Sequence, residues 1–247
     1  MNKNFKLLNI SFLNGSYNDA FTRLNHGQFM VVPSGPGLST IDNDIRYWES
    51  LKGADFAIPD SGLMIILARL FFNLKIKKLS GPKFLRLFLK EDILKKEGVI
   101  FSIDPTVKES VINNKYLNKI GIPIKKENQY VAPIYNKNEI SDKVLLDILE
   151  SVDIKPKFLL INIAGGVQER LGFYLKNNLS YKIGIICTGA AIAFETGQQA
   201  RLPKFLDDLY LGWLVRIIQS PKQFLKRYLY AFRLFFVFYL CKRNKLI

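Results

Sequence analysis

The sequence is short of histidine, cysteine and acid. His26 is the one histidine in 247 residues, and Cys187 and Cys241 are the two cysteines. A single histidine excludes a zinc site built on several histidines or on a His-Cys cluster. A Ser-His-Asp arrangement would have to run through His26, and no Gly-x-Ser-x-Gly accompanies it. A surface or helix-end place is the simpler expectation for this residue. Two isolated cysteines without Cys-x-x-Cys spacing set no disulfide framework and fit a reducing compartment. Long apolar runs are missing too: none reaches the roughly 18 uninterrupted residues of a membrane-crossing helix. The opening MNKNFKLLNISFLNGS lacks the apolar core and small-residue cleavage site of a signal peptide, and reads as a first strand. There is no P-loop and no Gly-x-Gly-x-x-Gly. Nor is there an RNP, zinc-finger or helix-turn-helix signature, so nucleic acid is not an expected partner.

What is present is a basic, well-packed chain. Hydrophobic residues make up 49%, which argues against disorder, and the length suffices for a real core. Thirty-six Lys/Arg against 21 Asp/Glu give a net charge of +15. Such a balance asks for an anionic partner: nucleic acid, an acidic membrane surface or a phosphate-bearing substrate. Short β-rich runs alternate with longer amphipathic ones. Strands are expected at Leu7–Leu13, Phe29–Pro33, Asp55–Pro59, Gly98–Ile103, Phe158–Ala164 and Ile183–Thr188. Helices are expected at Tyr17–Leu24, Ile41–Leu51, Leu63–Phe72, Pro82–Lys90, Val107–Lys119, Asp142–Ser151, Gln168–Asn177 and Pro203–Ile218, with Glu127–Asn138 as the loosest stretch. Alternation of this kind predicts an α/β fold with a Rossmann-like, mainly parallel sheet flanked by helices. Ligands of such sheets bind beyond the carboxyl ends of the strands. The loops that start at Ser34, Asp60, Gly165 and Thr188 all follow strands and are expected to meet there.

From Arg201 onward the composition shifts, with ten Lys/Arg against two Asp among many aromatics. We expect an α/β domain over 1–200 and a basic, aromatic, helical appendage over 201–247. A last helix is expected to start at Ser220-Pro221, a good N-cap and first-turn pair. At about 100° per residue, Lys222, Lys226 and Arg233 fall within about 40° of each other. Phe224, Tyr228, Phe232, Phe235 and Tyr239 cluster opposite, and Lys242, Arg243 and Lys245 follow. A basic face against an aromatic face is the pattern of a helix lying in a membrane interface. The same aromatic face would also serve to pack on the protein core or on another subunit.

Few side chains stand out for chemistry. Asp60, in ADFAIPDSGLM, follows an apolar strand and precedes a helix, where a carboxylate is placed either to act as a general base or to cap the helix together with Ser61. Taken alone, the cap is the plainer reading. Gly165-Gly166 follows the strand FLLINIA and opens a helix bearing Gln168 and Glu169. Glycines let a backbone approach a phosphate, and the helix N-terminus favours its charge. Asp42-Asn43-Asp44 has the form of a metal-holding Asp-x-Asp, but it stands where a helix starts and acidic residues complement the dipole. Asp207-Asp208 reads as early-helix charge in the same way. No metal or other cofactor is expected.

In order and spacing, these elements resemble the WecG/TagA/CpsF glycosyltransferases, family 26. The resemblance runs from Phe29 to Tyr228. It is carried by Pro59-Asp60-Ser61-Gly62, Arg69, Ser80-Gly81, Gly165-Gly166-Val167-Gln168-Glu169, Ile185 to Gly197, Arg201-Leu202-Pro203, Leu211-Gly212-Trp213, Arg216, Pro221-Lys222 and Arg227-Tyr228. It implies inverting, metal-free transfer of a sugar from a UDP-sugar to a polyprenyl-diphosphate-linked saccharide in bacterial cell-surface polysaccharide synthesis. It implies Asp60 as the general base that takes the acceptor hydroxyl's proton. It also implies Gln168 and Glu169 at the nucleotide-sugar, and Ser34, Gly62, Gly81, Gly165, Gly166, Thr188 and Gly189 as further substrate-binding positions. Arg201, Arg216 and Arg227 would neutralise diphosphate, a task suited to the guanidinium fork. The C-terminal segment would dock on the anionic cytoplasmic face of the inner membrane, making the protein peripheral. The chain departs from the family pattern at Gly35, Val167, Ala193 and Gly212. Those departures keep open a second reading, a non-catalytic nucleotide-sugar-binding or scaffold protein of the same pathway. Self-association through the aromatic helix is a further expectation.

Overall fold

The computed structural model describes residues 4–136, 140–189, 191–199, 225 and 229–243. Among them, strands β1 (Asn4–Leu7), β2 (Ile10–Leu13), β3 (Phe29–Val31), β4 (Phe56–Ala57), β5 (Ile100–Asp104), β6 (Gln129–Val131), β7 (Phe158–Ile161) and β8 (Gly184–Cys187) join in one sheet of order β1-β2-β4-β3-β8-β7-β5-β6. Among the described residues the sole antiparallel pair is β1 with β2; every other neighbour is parallel. The α/β expectation therefore holds, with a C-terminal helix present.

Side chains alternate across the sheet as a two-residue period requires. Phe29, Val31, Leu159, Ile161, Ile185 and Cys187 face one core. Met30, Phe158, Leu160 and Ile186 face the other. The first core is roofed by α3 (Ile45–Gly53), α4 (Gly62–Phe72), α7 (Lys143–Ser151), α8 (Val167–Asn178) and α10 (Leu234–Arg243). The second is roofed by α1 (Tyr17–Asn25), α5 (Gly81–Phe88), α6 (Val107–Lys119) and the short α9 (Ala191–Glu195). Phe21, Phe84, Phe88 and Phe158 stack and edge against one another there, with Phe88 and Phe158 perpendicular at 5.1 Å. His26 is the C-cap of α1, and Cys187 and Cys241 are buried thiols outside any disulfide.

Several boundaries differ from expectation for local reasons. The run Leu7–Leu13 is a hairpin and not one strand, because Leu8 and Asn9 both take left-handed conformations, at φ 56° and 60°. Within Glu127–Asn138, residues 129–131 pair with β5 as an edge strand. Gly35–Leu38 forms an extra short helix, α2, capped by Ser34. The helix expected from Ile41 starts at Ile45 because Asp44 is its N-cap, its carboxylate accepting from Tyr47 N. The expected helix Pro203–Ile218, the start at Ser220-Pro221, and Asp207, Lys222, Phe224, Lys226 and Tyr228 lie outside the described residues.

Helix α10 divides its apolar residues between two surfaces. Leu234, Val237, Phe238 and Cys241 are buried, and Phe238 packs on Phe71 and Phe72 of α4. Phe235, Phe236, Tyr239 and Leu240 remain exposed, as does Phe232 in the turn before the helix, and α4 adds exposed Ile66 and Leu70. One face of the helix thus packs on the protein, while Phe232, Phe235 and Tyr239 from the expected aromatic face stay at the surface. Among the described residues no helix is long and apolar enough to cross a membrane.

Candidate active site

Seven parallel strands end along the carboxyl edge of the sheet, and the middle five are, in spatial order, β4, β3, β8, β7 and β5. Asp60 follows β4. Its carboxylate Oδ1 accepts the backbone N–H of Gly81, the first residue of α5, at 2.8 Å. Ser61 caps α4, with Oγ accepting from Met64 N at 3.2 Å. The two neighbours therefore serve different helices: Ser61 closes its own, and Asp60 reaches to another. A carboxylate at the positive end of α5 is held in a fixed orientation and its charge is favoured.

Gly81 lies where three strand ends meet. A Cβ there would stand 3.2 Å from Val32 Cγ1, 3.9 Å from Asp60 Oδ1 and 4.0 Å from the Thr188 carbonyl. Gly35 is equally confined, since a Cβ on it would come to 2.7 Å from Ser61 Oγ. Ser34 caps α2 through Gly37 N at 3.2 Å. The structure thus brings Ser34, Asp60, Gly62, Gly81, Thr188 and Gly189 to one edge, from loops the sequence marked separately. Thr188 Oγ1 is buried with no hydrogen-bond partner among the described residues.

The β7–α8 turn is built differently. Gly166 has φ +86°, a conformation that penalises any side chain. Added Cβ atoms on Gly165 and Gly166 would meet nothing within 4 Å, so this backbone faces open space. Gln168 and Glu169 turn inward. Glu169 Oε2 accepts from Gly166 N at 2.6 Å, and its Oε1 accepts from Gln168 Nε2 at 3.0 Å. Gln168 Oε1 accepts from Gly189 N at 2.7 Å, which ties this turn to the β8 loop. Burial pushes the Glu169 carboxyl above its ordinary range, against the hydrogen bonds from Gln168 and the backbone that favour its charge. Gln168 and Glu169, expected at the nucleotide-sugar, brace the glycine turn in this structure.

Two groups went unmarked in the sequence. Asp104, at the tip of β5, accepts from Ser102 Oγ at 2.9 Å, Asn113 Nδ2 at 2.7 Å and Asn162 Nδ2 at 2.9 Å, all four residues being buried. Polar residues inside the apolar runs IFSID and LLIN were the available signal. Arg86 Nε pairs with Glu195 Oε1 at 3.0 Å and joins α5 to α9, 109 residues apart, with no local signal. Ala193 sits in α9. Arg69 is exposed on α4 beside Ile66 and Leu70. Arg201, Gly212, Arg216 and Arg227 lie outside the described residues. No cluster of three His, Cys, Asp or Glu able to hold a metal occurs among the described residues.

A parallel α/β sheet with a carboxylate, a left-handed glycine turn and helix N-termini along its carboxyl edge is the layout of a nucleotide-handling enzyme. The sequence model of the glycosyl transferase WecG/TagA/CpsF family matches residues 5–246, and the chain belongs to that family. It is thereby a glycosyltransferase, with a role in cell-surface polysaccharide synthesis, a nucleotide-sugar donor and a saccharide acceptor. No curated protein matches it.

Proposed function

We propose that the protein transfers a hexose, N-acetylhexosamine or uronic acid, with inversion, from a UDP-sugar to a polyprenyl-diphosphate-linked saccharide. The observation that carries this reading is Asp60, held by the Gly81 amide at the sheet's carboxyl edge. The acceptor hydroxyl oxygen attacks the anomeric carbon while Asp60 takes its proton. The bond to UDP breaks on the opposite face, and the electron pair leaves on the β-phosphate. No metal enters the reaction. Cations replace it at the diphosphate, a role assigned to Arg201, Arg216 and Arg227. Ser34, Gly62, Gly81, Thr188 and Gly189 line the site, and Gly165 and Gly166 present open backbone to the donor's phosphates.

Residues 1–200 form the catalytic unit and 201–247 the membrane appendage, lying on the cytoplasmic face of the inner membrane. Exposed aromatics on α10, with Ile66 and Leu70 on α4, support this placement. The decisive assay is UDP release from a panel of UDP-sugars, with and without a lipid-diphosphate saccharide in vesicles. Acceptor-dependent release from one donor is the expected result. Nucleotide binding without release from any pair would favour the non-catalytic reading that Ala193 and Gly212 motivate. Deletion after Ile218 is expected to weaken vesicle binding and turnover together; vesicle binding that survives it would remove the appendage from membrane docking. A dimer that is lost with the exposed aromatics would instead assign that face to self-association.

A further inference from the structure

Asp42-Asn43-Asp44 is the motif that the site above leaves unused. Its carboxylates each meet a guanidinium from a distant part of the chain. Asp42 Oδ2 pairs with Arg233 Nη2 at 2.6 Å. The Asn43 side-chain carbonyl, in the amide orientation its neighbours require, accepts from Arg233 Nη1 at 2.7 Å and Nη2 at 3.2 Å. Asp44 receives Arg170 Nη2 on both carboxylate oxygens and caps α3 as well. Arg233 immediately precedes α10, and Arg170 follows Glu169 in the first turn of α8. Three consecutive residues therefore hold two arginines, one at the entrance to the C-terminal helix and one from the glycine-turn helix. The two anchors differ in depth, with the Arg170 side chain 9% exposed and that of Arg233 37% exposed. A planar fork that meets a carboxylate and an amide oxygen together sets distance and angle at once, which a lysine does not.

We propose that Asp42, Asn43 and Arg233 are positioning residues that form a latch. They register α10 against the first turn of α8, so that the seat of the C-terminal helix sets how firmly the Gly166–Glu169 turn is held. Functionally, this rests on the reading of that turn as part of the donor site.

Amide hydrogen exchange on the full chain without lipid tests the latch by itself. Arg233→Gln and Asp42→Asn are expected to speed exchange across residues 234–243 and also across 166–170 by about two- to fivefold, the range one exposed ion pair carries. Helix α6, remote from the latch, is the internal reference and stays unchanged. Asp42→Glu keeps the wild-type pattern. Acceleration confined to 234–243, acceleration across the whole chain, or none at all overturns the latch. Kinetics with a UDP-sugar add a second readout. A loosened turn raises donor KM by a similar factor and leaves kcat in place, whereas a smaller folded fraction lowers apparent kcat at constant KM and counts against the latch. A wild-type protein that turns over no UDP-sugar removes the donor-site reading and leaves the exchange result to decide the latch.

Discussion

Two strand-to-helix turns, β4–α4 and β7–α8, carry similar residues and use them in opposite ways. Each places a carboxylate near a helix start. In the first, the neighbour Ser61 caps and Asp60 crosses to the N–H of Gly81 on another helix. In the second, the carboxylate of Glu169 closes its own turn through Gly166 N, with Gln168 spent on bracing it. The difference teaches that a carboxylate at a helix start acquires its role from who else caps. Where a serine caps the local helix, the acid reaches across to a second helix; where glycine occupies the N-cap, which has no side chain to offer, the acid closes its own turn.

The contrast is sharpest in substitution. Asp60→Asn is expected to cost about 10²- to 10⁴-fold in turnover, the usual worth of a general base, while UDP-sugar binding persists. Equal turnover in wild type and variant would remove Asp60 from the mechanism. Glu169→Ala strands the Gly166 N–H and is expected to destabilise the fold by about 1–3 kcal/mol, read by denaturant midpoint, with the surviving folded protein still active. A loss of turnover as deep as that of Asp60→Asn, at full stability, would make the two turns equivalent. Ser61→Ala should cost about 1 kcal/mol of stability and little turnover; a large turnover loss with an intact fold would give Ser61 a part in the chemistry beyond its cap. The smallest effect is in pH. Glu169 has a raised pKa in the folded state, so its contribution is full below its ordinary 4.5 and fades as pH rises through the raised value. Relative to Glu169→Gln, wild-type stability should therefore fall as pH climbs above 4.5, and a flat difference across that range would show that the buried acid does not titrate there.

The same two turns mark how much was legible in the sequence. The parallel sheet showed through because its buried strands read as apolar runs between amphipathic helices. The meeting of Ser34, Asp60, Gly165 and Thr188 along one edge followed from the strand-loop-helix order. What stayed hidden depended on partners remote in sequence. Nothing local tells that Asp60 reaches 21 residues to Gly81, or that Asp44 and Asp42 face arginines at positions 170 and 233. The hairpin was missed because its turn uses Leu8-Asn9, where such turns favour Asn-Gly, and β6 because three edge residues carry too little pattern. The capping box that Glu169 forms with Gly166 was not anticipated, because the resemblance drew its reading toward the nucleotide-sugar.

The Leu8-Asn9 turn has a consequence in the order of manufacture. Trp48 Nε1 donates to the Leu8 carbonyl at 2.8 Å, and the Leu8 N–H meets the sulfur of Cys241 on α10. An early hairpin therefore receives a helix translated more than two hundred residues later. During synthesis the whole sheet emerges before its last roof piece, and the apolar surface on α4 waits for α10 to cover it. A ribosome-bound chain paused before Leu234 would expose Phe71 and Phe72, and would be the form most in need of a chaperone.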